Sequence, residues 1–121
     1  MQIAFVAHDE KKSALVEFVN EHIDLLAQYE GIATGSTGER LGQETDLEVE
    51  GLLSGSDGGD MMVGAAIAGG ECDAVIFLRD PLTAQPHEPD IKALLRVCDV
   101  HDVPFATNLA SANAIIEYLA D

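Results

Sequence analysis

The sequence predicts an α/β protein: a three-layer α/β/α sandwich around a mostly parallel five-stranded sheet. Short apolar runs alternate with longer segments of helical spacing along the 121 residues, and repeated strand–helix units build parallel sheets with helices on both faces. The run DAVIFL (73–78) has no polar alternation, as expected of a central parallel strand. A hydrophobic content of 47% suffices for one core, so we expect residues 1–121 to form a single domain.

The predicted strands are short apolar or alternating runs that end at Gly, Ser, Asp or charged residues. They are QIAFVA (2–7), GIAT (31–34), LEVEGLL (47–53), DAVIFL (73–78) and PFAT (104–107). A segment rich in Gly, Ser and Thr at 35–38 follows the second strand, and we expect it to be a turn.

The predicted helices repeat apolar residues every three or four positions. In the longest of them the residues with this spacing are Leu15, Phe18, Val19, Ile23 and Leu26. The four helices are expected at 12–29, 61–70, 90–102 and 110–120.

The net charge of −16, from 22 acidic and 6 basic residues, argues against a nucleic-acid partner because the phosphate backbone attracts clustered Lys and Arg. Acidic membrane surfaces are disfavoured for the same reason, and no apolar run approaches the roughly 18 residues of a membrane span. The segment MQIAFVAHDE lacks the features of a signal peptide, so we expect a cytoplasmic protein. The acidic residues are spread along the chain, which predicts a halophilic protein whose solvated surface is adapted to high salt.

Metal and disulfide chemistry is not indicated. Cys72 and Cys98 are isolated in sequence, so we expect two buried thiols that act as small apolar residues. No HxH or HExxH spacing occurs, and no metal site is predicted.

In open parallel sheets, ligands bind beyond the carboxyl ends of the strands. Two of these ends, TGSTG (34–38) and SGSDGG (54–59), alternate glycines with hydroxyl side chains, and each leads toward a helix. Backbone N–H groups and hydroxyls in such segments suit a phosphate, and Lys12 could supply positive charge. Neither segment is a Walker A loop or a GxGxxG fingerprint, so a flexible turn is the alternative reading of each.

Side chains suited to general acid and base catalysis are expected at the same edge of the sheet. They are Asp9, Asp60, Asp80, Asp90, His8 and His87. His8 could instead be a hydrogen-bonded strand-end residue, and Asp60 could instead cap the helix that begins near Met61. His22 and His101 lie within helical patterns and are expected to be solvated or capping residues.

The segments AHDEKK, ATGSTG, LSGSDGGD, FLRDPLTAQPHEPDIKALLR and PFATNLASA resemble methylglyoxal synthase in order and spacing across nearly the whole chain. The resemblance implies a fold of the flavodoxin-like class. It also implies a lyase without metal or cofactor that converts dihydroxyacetone phosphate to methylglyoxal and inorganic phosphate. Such enzymes are usually homohexamers and are often inhibited by phosphate. The prolines around His87 and Asp90 would hold these two side chains over the bound triose phosphate.

The resemblance also implies roles for individual residues. Asp60 corresponds to the base that removes a proton from the hydroxymethyl carbon, and His87 to the electrophile that polarises the carbonyl. Asp90 is a candidate for shuttling the hydroxyl proton, and Asp9, Asp80 and His8 match other polar positions of the site. The phosphate contacts correspond to Lys12, Thr34, Ser36, Thr37, Gly38, Ser54 and Gly55.

Three departures from the family pattern accompany these assignments. Ser36 stands where the family commonly has threonine, which preserves the hydroxyl. Asp57 lies inside the loop that approaches phosphate, and its carboxylate would weaken binding unless it points outward. No arginine follows Arg96, whereas relatives carry a tail arginine that reaches a neighbouring subunit, so phosphate allostery of the family type is not predicted.

Two other classes share this fold class. A response-regulator receiver needs a lysine after the last strand, and PFATNLASA has none. A regulatory module that only binds a phosphorylated effector, like the effector-binding domain of carbamoyl phosphate synthetase, does not need a base and a histidine together. The presence of Asp60, His87 and Asp90 in one chain favours the enzyme.

Overall fold

The structure is a computed structural model and describes residues 1–82 and 91–121. The described residues form five strands: β1 (Gln2–Ala7), β2 (Glu30–Thr34), β3 (Val49–Leu52), β4 (Cys72–Leu78) and β5 (Phe105–Ala106). Their order in the sheet is β3-β2-β1-β4-β5, and every neighbouring pair is parallel. The predicted parallel α/β architecture is confirmed.

Helices cover both faces of the sheet. They are α1 (Lys12–Glu21), α2 (Ile23–Leu26), α3 (Gly35–Glu44), α4 (Gly59–Ala68), α5 (Ile91–His101) and α6 (Leu109–Ala120). The apolar cluster on one face joins the sheet to α1, α2, α3 and α6, and the cluster on the other face joins it to α4 and α5. This arrangement is the three-layer sandwich that the sequence predicts.

The central strands are buried on both faces, as their unbroken apolar composition predicts. In β1, Ile3 and Phe5 belong to the first cluster, whereas Ala4 and Val6 belong to the second. In β4, Ile76 and Phe77 likewise point into opposite clusters. This alternation follows from the two-residue period of a strand.

The predicted helix at 12–29 is wrong in its continuity, because α1 and α2 are separate helices on either side of His22. The backbone of His22 has φ −116° and ψ 24°, outside the helical region, although its N–H still bonds the carbonyls of Phe18 and Val19. The His22 ring nitrogen Nε2 lies 3.0 Å from Oδ1 of Asn113 on α6. This tertiary contact and the local bend are not visible in the apolar spacing, which continues through the break.

The predicted turn at 35–38 is also wrong, since these residues form the first turn of α3. Only Thr37, Gly38 and Leu41 of this helix are buried. Of these three buried residues only Leu41 is a large apolar residue, so the segment has no apolar repeat that would indicate a helix.

The two cysteines behave as predicted. Cys72 and Cys98 are buried and unpaired, and burial raises the pKa of the Cys98 thiol to about 11. A thiol with such a pKa is almost entirely protonated at neutral pH and is a poor nucleophile. Within residues 1–82 and 91–121, no helix combines the length and apolar character that a bilayer crossing requires.

Candidate active site

The carboxyl ends of the strands meet at one edge of the sheet because the strands are parallel. β1 leads into His8, β2 into Gly35, β3 into Leu53 and β4 into Arg79. The polar segments that the sequence places after these strands therefore share one edge, as expected.

His8 bridges the ends of β1 and β4. Its side chain accepts a hydrogen bond at Nδ1 from the backbone N–H of Asp80, with a nitrogen–nitrogen distance of 2.9 Å, although the two residues lie 72 positions apart. His8 is 6% exposed, and its imidazole packs edge-on against the ring of Phe77, with centroids 5.5 Å apart. A backbone N–H can only donate, so neutral His8 carries its proton on Nε2. His8 is thus hydrogen-bonded at the strand end, and the bond fixes which nitrogen can donate.

Asp80 is buried, with 8% of its surface exposed. Its Oδ1 accepts a hydrogen bond of 3.0 Å from the backbone N–H of Leu82. The residue therefore holds His8 with its backbone and the segment after β4 with its side chain.

Asp9 and Lys12 form an ion pair one turn apart, between Oδ1 and Nζ. The Lys12 side chain is 11% exposed and that of Asp9 is 88% exposed. The hydrogen bond and the charge of Lys12 hold the pKa of the Asp9 carboxyl below its usual value. Asp9 is therefore an anion at neutral pH, and it partly neutralises the cation proposed from sequence as the phosphate contact.

The ends of β2 and β3 lie against each other. The N–H of Gly35 donates to the carbonyl of Leu53 at 3.3 Å. Gly35 has φ +49°, and a Cβ at this position would lie 3.3 Å from both Cα and Cβ of Ser54. The close approach brings the first turn of α3, whose N–H groups have no partners within the helix, next to the segment that begins with Ser54. Thr34 and Thr37 are buried at this junction.

The segment from Ser54 to Gly59 is closed by its own backbone. The carbonyl of Ser54 accepts hydrogen bonds from the N–H of Asp57 at 3.0 Å and from that of Gly59 at 2.8 Å. Gly58 has φ +98°, which favours glycine, and it is the N-cap of α4. A Cβ on Gly59 would lie only 1.8 Å from the carbonyl oxygen of Leu53. Sequence reasoning did not assign these roles to the two glycines, although the Gly-Gly pair marks the turn.

Asp60 is the second residue of α4 and is half-buried. Because Gly58 is the N-cap, the reading of Asp60 as a helix cap is wrong. The helix begins at Gly59, directly after the left-handed Gly58. This is two residues before Met61, where the apolar run predicted the start. The first turn of α4 still favours a carboxylate, because the N-terminal end of a helix carries partial positive charge.

The structure brings most of the predicted site residues to two adjoining regions. His8, Asp9, Lys12 and Asp80 lie at the ends of β1 and β4. The other region, at the ends of β2 and β3 and the start of α4, holds Thr34, Ser36, Thr37, Gly38, Ser54, Gly55 and Asp60. His87 and Asp90 lie outside the described residues. Among the described residues, no cluster of three or more His, Cys, Asp or Glu is placed to bind a metal ion.

A cavity of about 810 Å³ lies at the opposite edge of the sheet, and its lining includes Glu30, Asp46, Glu48 and Glu50. Four carboxylates would repel a phosphorylated ligand. The size of this cavity therefore does not mark it as the site, and the carboxyl edge remains the candidate.

The chain is therefore a parallel α/β domain. The carboxyl ends of its strands form a candidate ligand site, because they carry glycine- and hydroxyl-rich segments and buried polar side chains. A family profile described as the MGS-like domain matches residues 14–107. The chain belongs to this family.

The chain is similar over nearly its whole length to proteins named methylglyoxal synthase. It is 57% identical over 121 residues to the protein of Moorella thermoacetica, an alignment that covers 100% of this chain and 94% of that protein. It is 54% identical over 117 residues to the protein of Thermus thermophilus, with coverage of 97% and 93%. The crystal structure of methylglyoxal synthase from Elizabethkingia anophelis superposes with a TM-score of 0.89 at 43% identity, over 95% of this chain and 76% of that chain. The resemblance seen in the sequence motifs is confirmed.

Proposed function

We propose that this protein is a methylglyoxal synthase, a carbon–oxygen lyase that converts dihydroxyacetone phosphate to methylglyoxal and inorganic phosphate. The observation that carries the proposal is the 57% identity over the full 121 residues to a protein of that name. The arrangement of the carboxyl edge supports it, because hydroxyl- and glycine-rich segments adjoin a half-buried carboxylate at Asp60.

In the proposed reaction, the Asp60 carboxylate removes a proton from the hydroxymethyl carbon, and His87 polarises the neighbouring carbonyl to stabilise the enediolate. Asp90 shuttles the hydroxyl proton. As the hydroxyl proton leaves, the electron pair of the enediolate moves toward the phosphorylated carbon, breaks its bond to the ester oxygen and expels phosphate. The two protons removed return to the CH2 carbon of the remaining enolate, which becomes the methyl group of methylglyoxal, and to the departing phosphate. The departing phosphate is stabilised by Lys12, Ser54 and the first turn of α3. The hydrogen bond between His8 and Asp80 holds the ends of β1 and β4 together beside it.

An assay of the purified protein with dihydroxyacetone phosphate tests the proposal. We expect methylglyoxal and inorganic phosphate to appear in equal amounts. Tight binding of the triose phosphate without any turnover would instead favour the regulatory module of the same fold.

The Lys12 assignment can be tested against a neighbouring lysine. Lys12→Ala should raise the KM for dihydroxyacetone phosphate by about tenfold or more, the scale of one hydrogen bond to a charged group. Removal of the Lys12 ammonium also leaves the exposed Asp9 carboxylate without its ion-pair partner, and this carboxylate would then repel the incoming phosphate. Lys11→Ala is the matched control and should change KM little. Equal losses in the two variants would mean that Lys12 is not the phosphate lysine.

We also propose that the enzyme is a closed homo-oligomer, a hexamer by analogy with the family. Apolar side chains are exposed near the start of α4, where Leu53, Met61 and Met62 are 54%, 75% and 41% exposed. Such a patch is a candidate for burial between copies of the chain. Light scattering at high salt should show an assembly, and a purely monomeric protein would contradict the proposal.

We also propose that the enzyme is cytoplasmic and adapted to high salt, and the net charge of −16 supports the salt adaptation. Repulsion among the acidic residues opposes the compact state in dilute buffer, and raising KCl from about 0.1 M to about 1 M shortens the Debye length from about 10 Å to about 3 Å. We expect the thermal midpoint to rise by roughly 4 °C or more, the shift that about 1 kcal/mol produces in a domain of this size. A midpoint that stays constant or falls would argue against the adaptation.

A further inference from the structure

A small cavity lies between the carboxyl ends of β4 and β5. Its volume is about 140 Å³, and the described residues that line it include two basic side chains, Lys11 and Arg79, and no acidic one. The volume is below the roughly 300 Å³ at which pockets begin to hold drug-sized ligands, so the cavity suits a small molecule. None of the lining residues is among those assigned to the proposed reaction.

The two basic side chains of this cavity have no acidic partner. The chain contains only 6 Lys and Arg against 22 Asp and Glu. Among the described residues, ion pairs are made by Lys12 and Arg40, and neither Lys11 nor Arg79 takes part in one. Two unpaired cations at one small cavity attract an anion at short range, in spite of the net charge of −16.

The polar wall of the cavity is held in place by hydrogen bonds. The N–H of Arg79 donates to the carbonyl of Thr107 at 3.2 Å, which fixes the end of β4 against the end of β5. The Oγ of Ser111 accepts bonds from the N–H groups of Thr107 and Asn108 at 3.2 and 3.3 Å. Because Oδ1 of Asn108 accepts from the N–H of Ser111, the NH₂ group is the part of this side chain that can donate to a ligand. The wall therefore presents donors without further ordering.

The rest of the lining is apolar. It consists of Ala14 from α1, Leu78 at the end of β4 and Leu109 at the start of α6. A bare phosphate or sulfate gains nothing from such a surface, whereas each buried CH₂ group of a ligand strengthens binding by a factor of about four. The combination of cations with an apolar floor therefore favours an organic anion with a charged head and a short hydrocarbon body.

We infer that this cavity is a binding site for a short-chain carboxylate. The carboxylate group is bound by Arg79 and Lys11, and the hydrocarbon chain packs against Ala14, Leu78 and Leu109. The planar guanidinium of an arginine matches the two oxygens of a carboxylate in a bidentate pair. The inference does not depend on the proposed function, because the lining residues take no part in the proposed reaction.

Methyl NMR of the leucine-labelled protein, titrated with sodium butyrate at constant ionic strength, tests the inference. The signals of Leu78 and Leu109 should shift and saturate in the millimolar range. Butyramide, the neutral amide of the same shape, should bind at least about tenfold more weakly, the scale of one hydrogen bond to a charged group. Acetate lacks two CH₂ groups and should also bind about tenfold more weakly.

Substitution of the basic residues locates the carboxylate. Arg79→Gln and Lys11→Ala should each weaken butyrate binding by about tenfold. Arg79 is exposed and makes no side-chain bond to another described residue, so the first variant should remain folded. Arg96→Gln is the charge-matched control, because Arg96 is exposed on α5, which covers the opposite face of the sheet from α1 and α6. It should leave the affinity unchanged.

Several outcomes would overturn the inference. One is that the leucine signals stay fixed at tens of millimolar butyrate, and another is that butyrate and butyramide bind equally well. Equal affinities for butyrate and acetate would show that the apolar floor does not hold the chain. Binding that is lost in Lys12→Ala but kept in Arg79→Gln would place the anion in the proposed phosphate site instead.

Discussion

Asp60→Asn is expected to lower the turnover of dihydroxyacetone phosphate by about 10²- to 10⁴-fold, the contribution of a positioned general base. Asparagine has nearly the same size as aspartate but cannot accept the proton from the hydroxymethyl carbon. The variant should remain folded, because Asp60 is not the cap of α4 and its interaction with the helix N-terminus contributes only about 0.3–1 kcal/mol. Steady-state kinetics and a thermal melt measure the two effects separately.

Asp24→Asn is a control, since Asp24 is an exposed aspartate that also lies in the first turn of a helix. It should leave turnover unchanged. A second readout is the exchange of the substrate's hydroxymethyl proton with deuterated solvent, which Asp60→Asn should abolish. Exchange that persists in the folded variant would move the base elsewhere, most directly to Asp90.

Gly59→Ala should destabilise the protein by about 3 kcal/mol, at the upper end of the usual cost of overpacking. The added Cβ would lie 1.8 Å from the carbonyl oxygen of Leu53 and 2.7 Å from its carbonyl carbon. Both are backbone atoms, so relief requires the start of α4 to move away from the end of β3. That movement would also separate Asp60 from Ser54, and we expect activity to fall with stability. Urea denaturation gives the change in the free energy of unfolding.

Gly42→Ala is the control for this substitution. A Cβ on Gly42, in α3, would meet nothing within 4 Å. Alanine should therefore be neutral there or stabilise the helix by up to about 1 kcal/mol. If Gly59→Ala were as stable as Gly42→Ala, the close approach of α4 to β3 would not exist in solution.

The sequence was most informative where burial is complete. β1 and β4 lie between two helical layers, so their residues must be apolar on both faces, and their extents followed from composition alone. It was least informative where a few contacts decide the conformation. The break at His22 depends on the backbone there and on a contact with Asn113 of a distant helix, and α3 buries too few apolar residues to show a period.

The same contrast applies to the candidate site: the sequence indicated its residues but not the contacts between them. Motifs identified its residues, including Asp60, Lys12 and Ser54, because residue type and spacing are local properties. Their pairing was not predictable, since the bond between His8 and Asp80 spans 72 positions. Two further features depend on the path of the chain. One is the αL backbone of Gly58, which makes Gly58 and not Asp60 the helix cap, and the other is the bond between Ser54 and Asp57.

The central claim is that this edge of the sheet eliminates phosphate from a triose phosphate. Proton and phosphorus NMR of the wild-type protein with dihydroxyacetone phosphate in deuterated buffer tests it most directly, because both products are observed together. We predict that methylglyoxal and inorganic phosphate appear at equal rates, much faster than without protein. Dihydroxyacetone phosphate that stays intact in the presence of folded protein would contradict the claim.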